Sequence, residues 1–148
     1  SVAAYTVAMR RANAVASIPF RLMDGDKPVQ TDDLLAQVFV QGFSDIIRRS
    51  EWTHFFCGHN CLQKRFSRGK TLAGIQWINP HLYTPVIEDS TLVGIDLLER
   101  QGGRAYQRLK PGSFIYTHGL DFRNDFDGVS PVDQRDLQLP AEAVLTTR

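Results

Sequence analysis

The chain has 148 residues, 43% of them hydrophobic and 22% charged, a balance that belongs to a folded globular domain and excludes a disordered segment. The length suits a single domain, residues 1–148, with one sizeable core. Lysine and arginine total 17 against 16 for aspartate and glutamate, and a net charge of +1 excludes a surface given over wholly to coating nucleic acid.

Val2 to Ser17 is rich in alanine and free of glycine and proline, and Tyr5, Met9, Ala12 and Ala16 recur at helical spacing. The pattern predicts an amphipathic helix that ends before Pro19, because the residue before a proline is pushed out of the helical region. Ile18 to Met23 reads as a strand, Asp24-Gly25-Asp26 as a turn, and Val29 as the start of the returning strand. Thr31 and Asp32 are N-cap residues for a helix containing Leu34, Leu35, Val38 and Phe39. Gly42 interrupts that pattern. Ser44 is then the cap of a second helix through Ile46, Ile47, Trp52 and Phe55, and Gly58 is its stop.

From His59 the reading changes to strands. His59–Phe66 closes at Ser67-Arg68-Gly69, Thr71–Ile78 at Asn79-Pro80, and Leu82–Ile87 at Glu88-Asp89-Ser90. Thr91–Glu99 and Arg104–Leu109 flank the hairpin signal Gly102-Gly103, and Phe114–His118 comes next. Ser130-Pro131-Val132-Asp133 has the form of a helix start, and Pro140 stops or kinks the helix that it opens. The expected class is α+β: a mostly antiparallel sheet with an N-terminal helix and a few short helices.

Several motifs along the chain carry chemical meaning. His54, Cys57, His59 and Cys61 are the right residue types for tetrahedral zinc. Their spacing opposes it, because His54 and Cys57 fall on the helix and His59 and Cys61 on the strand. No second Cys or His cluster accompanies them. Gly69-Lys70-Thr71 resembles the end of a phosphate-binding loop, but Lys64 stands where that loop needs glycine. Arg123 to Gly128 resembles a calcium loop with Arg123 and Gln134 where carboxylates are required. His118 with Asp121 or Asp125 is the one candidate general base for a hydrolase, and no activated-serine elbow accompanies it. No catalytic residue, metal ligand or cofactor site is therefore assigned. Lys64, Arg65, Arg68 and Lys70, with Phe66 among them, are the candidate contact to DNA or an acidic partner. A solvated hairpin tip is the competing reading. A small metal- or nucleic-acid-binding module built on Cys57, His59, Cys61 and the Lys64–Lys70 turn is the alternative function.

Cys57 and Cys61 are too few for a disulfide framework and read as free thiols of a reducing compartment. The apolar opening precedes Arg10 and Arg11, the reverse of a secretory signal. The longest uncharged run, Thr71–Ile87, is broken by Asn79, Pro80, His81 and Pro85, so no bilayer helix is expected.

Several short phrases, taken in order, resemble the amino-terminal half of HK97-type tailed-phage portal proteins over roughly residues 2–135. Within the run Asn13–Leu22 (NAVASIPFRL), Ala14 to Phe20 match a helix leading into an "A-x-x-P" step. Gly58-His59-Asn60-Cys61 loosely matches a "G-N-x-Y" turn, with Cys61 where the family has an aromatic. Leu72–Pro80, with Ile75 and Ile78 and ending in Trp77-Ile78-Asn79-Pro80, matches "L-x-x-L-x-P", and Val86 stands where a "V-x-P"-type strand runs. Ile115-Tyr116-Thr117-His118 matches "I-x-H", and Gly128-Val129-Ser130-Pro131 matches "G-x-S-P". After Pro131 the family continues into a long alanine-rich helix, whereas this chain has Asp133, Gln134, Arg135 and Asp136 and then Pro140.

The resemblance implies the wing domain alone, without stem, clip or crown, as a cut piece or a decayed prophage product. It implies a structural role in a dodecameric ring at one capsid vertex, through which DNA is packaged and ejected. The implied partners are other portal subunits, capsid protein, the packaging terminase and the head–tail adaptor, with no membrane. The implied location is the virion's portal vertex, and the host cytoplasm during assembly. By this reading the chain is not an enzyme, and Asn79-Pro80 and Gly128–Pro131 shape the backbone rather than bind a ligand.

Overall fold

The structure is a computed structural model that describes residues 2–29, 42–119, 126, 128, 130 and 131. Within these the chain is α+β, as the patterning requires.

Helix α1 spans Val2–Ala16 and α2 spans Phe43–Cys57, and the two pack together. The buried stripe of α1 is Ala8, Ala12 and Ala16, spaced four apart, whereas Tyr5 remains 54% exposed. Small side chains on that stripe let the helices approach closely. Tyr5 instead reaches sideways to meet Trp52 edge-on at 4.9 Å. Arg11 pairs with Glu51 at 3.0 Å across the same contact.

The strand predicted from Ile18 to Met23 is corrected to its last residue. Only Met23–Asp24 (β1) pairs, with Lys27–Pro28 (β2), around Gly25 at φ 58°. Ile18 instead donates its N–H to Val15 O, continuing the helix end. Pro19 has no N–H to give a ladder, which keeps strand pairing from starting earlier. The returning strand is corrected too: it is Lys27–Pro28, ahead of Val29, whose N–H reaches Leu22 O at 3.0 Å just past the strand's end. The helix expected around Thr31 to Phe39 lies outside the described residues.

Ser44 is not the cap of α2. Gly42 is, at φ 80°, and no side chain caps the helix. Its carbonyl accepts from Asp45 N and Ile46 N, which places Ser44 inside the first turn. Glycine adopts the left-handed conformation without a Cβ penalty, so the chain enters the helix two residues early. Asp45 then lies in the first turn, where a carboxylate favours the helix dipole. Gly58 ends α2 as expected, at φ 75° with its N–H on His54 O.

The strands form two three-stranded antiparallel sheets rather than one. The first, in order β4-β3-β8, joins β3 (His59–Phe66) to β4 (Leu72–Ile78) and β8 (Phe114–His118). The second, in order β5-β6-β7, is built from Tyr83–Glu88, Thr91–Leu98 and Ala105–Leu109. The change of sheet occurs at Asn79-Pro80. There a 3₁₀ turn, Pro80–Leu82, is capped by Asn79 Oδ1 accepting from His81 N.

Alternation puts Cys61 and its register partners Ile78 and Tyr116 on one face of the first sheet. That face meets Tyr83, Ile95, Leu97 and Leu109 of the second sheet, and these residues form the core. The opposite face of the first sheet carries α2. The molecule is therefore layered as helices, sheet and sheet. Among the described residues no helix is long and apolar enough to cross a membrane.

Candidate interaction surface

Two of the sequence phrases that lie far apart along the chain meet in space. Gly119 N donates to Gly58 O at 2.8 Å, joining the end of β8 to the corner between α2 and β3. Gly128 is pressed onto that corner: a Cβ placed there would stand 1.8 Å from Gly58 O and 2.7 Å from Gly119 N. Only a residue without a side chain fits. Tyr116 Oη donates to Phe126 O at 2.8 Å, and Ser130 is fully buried. Gly58, which opens the first phrase, and Gly128, which opens the second, thus meet at one backbone junction. The sequence shows both phrases but not their contact, which spans 70 residues.

The histidines and cysteines are occupied structurally. His54 Nε2 and Thr117 Oγ1 share a hydrogen bond of 2.8 Å, tying α2 to β8. Burial holds the His54 imidazole below its ordinary pKa, with Glu51 opposing the shift. His59 Nδ1 and the Tyr83 hydroxyl share a bond of 2.6 Å between the two sheets. Burial pushes the Tyr83 phenol well up and the Cys61 thiol to about 12. Cys57 is half-buried at the end of α2. Among the described residues no three His, Cys, Asp or Glu side chains group so as to hold a metal ion. His118 is exposed, with its ring against Tyr116 and Phe126 and Nδ1 on Gly119 O at 3.0 Å. Asp121 and Asp125 lie outside the described residues. Gly69-Lys70-Thr71 belongs to a tight turn, in which Ser67 N donates to Thr71 O and Lys70 has φ 60°.

Between α2 and the first sheet runs a seam that the linear patterning does not show. Trp77 Nε1 donates to Thr53 Oγ1 at 3.0 Å, and that hydroxyl donates to Arg49 O at 2.8 Å. Asn60 Nδ2 donates to Ser50 Oγ at 3.1 Å, and the Arg49 guanidinium stands 5.6 Å from the centre of the Trp77 ring. Alongside lies a cleft of about 740 Å³ lined by Val2, Tyr5, Trp52, Phe56, Trp77 and Pro80, among others. Tryptophan and tyrosine lining a half-open cleft are the residues that dominate protein interfaces. The concentration of aromatics on α2 is the signal the sequence offers for it, although the partner on β4 is not legible there.

The predicted basic cluster is split by the pleat. Lys64 is half-buried, while Arg65, Arg68 and Lys70 are exposed. Lys64 and Arg65, as consecutive strand residues, lie on opposite faces of β3 ahead of the register break at Phe66.

No protein-family model matches the chain, and no curated protein matches it. Solved structures do. A chain from the neck of an empty gene transfer agent particle, computed with C6 symmetry, superposes with a TM-score of 0.73 at 15% identity over 98% of this chain and 43% of that chain. A chain from the native particle's neck, computed with C12 symmetry, gives 0.68 at 18% identity over 98% and 42%. An HK97-family phage portal protein from Corynebacterium diphtheriae is a looser likeness, with a TM-score of 0.49 at 18% identity over 97% and 49%. The chain spans less than half the length of each of these chains. The class is thus defined at the level of fold: the chain shares its fold with components of the neck of a gene transfer agent particle.

Proposed function

We propose that this chain is the wing-domain portion of an HK97-type portal subunit, a structural part of the ring at one vertex of a phage-like particle. In this reading it has no chemistry of its own. It supplies a rigid outer layer that contacts neighbouring subunits and the capsid shell, while DNA, terminase and head–tail adaptor engage the whole ring. The observation that carries the reading is the particle-neck fold, shared over nearly the whole chain. The ordered phrases from Asn13 to Pro131 support it independently of the fold. The Gly58–Gly119–Gly128 junction explains why two of those phrases serve backbone packing. The aromatic cleft beside Trp52 and Trp77 is a surface suited to a neighbouring subunit.

The test is the mass of the purified chain in solution by light scattering across concentration, with metal content assayed on the same sample. Self-association into a metal-free, ring-sized species supports the reading. Stoichiometric zinc would overturn it in favour of a metal-binding module at Cys57, His59 and Cys61.

A further inference from the structure

The hairpin of β3 and β4 outruns its sheet. β8 pairs with β3 only from His59 to Gln63, whereas β4 pairs with β3 from Cys61 through Phe66. Lys64 N makes one last bond, to Ser113 O at 2.8 Å. Beyond that point the hairpin projects as a two-stranded arm with an irregularity between Arg65 and Phe66.

The charge on this arm is of one sign. No aspartate or glutamate stands between Glu51 and Glu88, a stretch that holds Lys64, Arg65, Arg68 and Lys70. β8 carries no acid either, so the whole three-stranded sheet is free of carboxylates. Lys110 adds a cation at the base of the arm, since Ser113 N and Oγ both donate to its carbonyl. Among the described residues no ion pair involves any of these five side chains. Phe66 is 50% exposed among them. Keeping an edge strand soluble would be served by either sign of charge. Within the sheet, burial between α2 and the second sheet itself disfavours carboxylates, but the arm beyond it is exposed and still carries cations without acids. That surface is the complement of a polyanionic partner.

We infer that the arm formed by residues 64–75 binds the phosphate backbone of duplex DNA. Arg65, Arg68, Lys70 and Lys64 are the contacting cations, and Lys110 supports them. A two-stranded ribbon has the width to lie in or along the major groove, and its cations would meet the flanking phosphates. Base edges are not addressed by this set of side chains, so the binding is independent of sequence. The inference does not depend on ring assembly.

The experiment is fluorescence anisotropy of a labelled short DNA duplex titrated with the chain at several salt concentrations. Affinity is expected to fall with salt with a log–log slope of roughly −3 to −4, one counterion-release step per phosphate contact. Arg65→Glu combined with Arg68→Glu and Lys70→Glu is expected to weaken binding by at least about tenfold and to flatten the slope. Arg100→Glu with Arg104→Glu, on the loop between β6 and β7, is expected to leave both unchanged. Circular dichroism checks that each variant folds; if the triple reversal does not, Arg65→Gln with Arg68→Gln takes its place, with a smaller expected loss. The inference is overturned by an absence of salt-dependent binding, by equal loss in the Arg100 and Arg104 control, or by competition from polyglutamate as effective as from duplex. That last result would assign the arm to an acidic protein.

Discussion

At Gly128 the constraint is steric, and at Gly25 it is conformational. A Cβ on Gly128 has nowhere to go against Gly58 O, whereas Gly25 has open space around it but holds φ at +58°. Gly25→Ala is expected to cost about 1–2 kcal/mol, the strain of a left-handed alanine. Gly128→Ala should cost more, about 3 kcal/mol, because the junction must shift to admit a methyl group. Denaturant midpoints of the two variants, compared with the parent, check the order. A second residue-scale expectation concerns the thiols. Cys61 is fully buried with its pKa pushed up to about 12. Iodoacetamide at mildly alkaline pH should therefore leave Cys61 unmodified in the folded chain and alkylate it after unfolding, as read by mass spectrometry. A third concerns His54, whose folded pKa lies below its ordinary value of 6.5 because of burial. Between those values the unfolded chain holds more protons than the folded one, so stability rises with pH through that window. Stability should fall as pH drops below about 6.5, and His54→Gln should reduce that dependence in urea titrations at pH above and below it.

At the scale of elements, the seam under α2 is where helix and sheet are tied. Thr53 is 1% exposed, accepts from Trp77 and donates to Arg49 O. Thr53→Val keeps the shape but leaves the Trp77 N–H without its acceptor, and should cost about 1–3 kcal/mol. Thr53→Ser should cost less, and thermal unfolding followed by tryptophan fluorescence distinguishes them. Most strands are legible in the sequence because each ends at its own turn marker: Ser67 to Gly69, Asp89-Ser90 and Gly102-Gly103. Asp89 and Ser90 both adopt positive φ, which closes β5 to β6 in the tight turn expected there. Ser44 misleads because a hydroxyl cap and a left-handed glycine compete to start a helix, and Gly42 begins it first. The run from Ile18 misleads because a β-rich segment without a partner does not pair. The division into two sheets is beyond local reading. Asn79-Pro80 announces a break, but whether the next strand rejoins the same sheet depends on register with β6, which is fixed by burial of Tyr83, Ile95 and Leu97.

For the whole molecule, the layering of helices, sheet and sheet leaves two surfaces of separate character around a core between the sheets. That core is mainly apolar, with the His59–Tyr83 bond inside it. The helical side carries the aromatic cleft beside Trp52 and Trp77, and one end of the first sheet carries the cationic arm. The sequence phrases foretell the architecture through their order, but the Gly58–Gly128 contact and the Trp77–Thr53 bond join residues far apart along the chain. Local periodicity carries no record of such pairs. The arm is visible as a basic run, while its projection past the sheet is legible only once β8 is placed beside β3. On the reading proposed above, a portal-type wing, the cleft and the arm serve contacts within an assembly. The most direct test of that account is immunogold electron microscopy of phage-like particles purified from the producing cells, using antibody against this chain. The account predicts gold at a single vertex of each particle. Particles carrying no label, or label spread evenly over the shell, would contradict it.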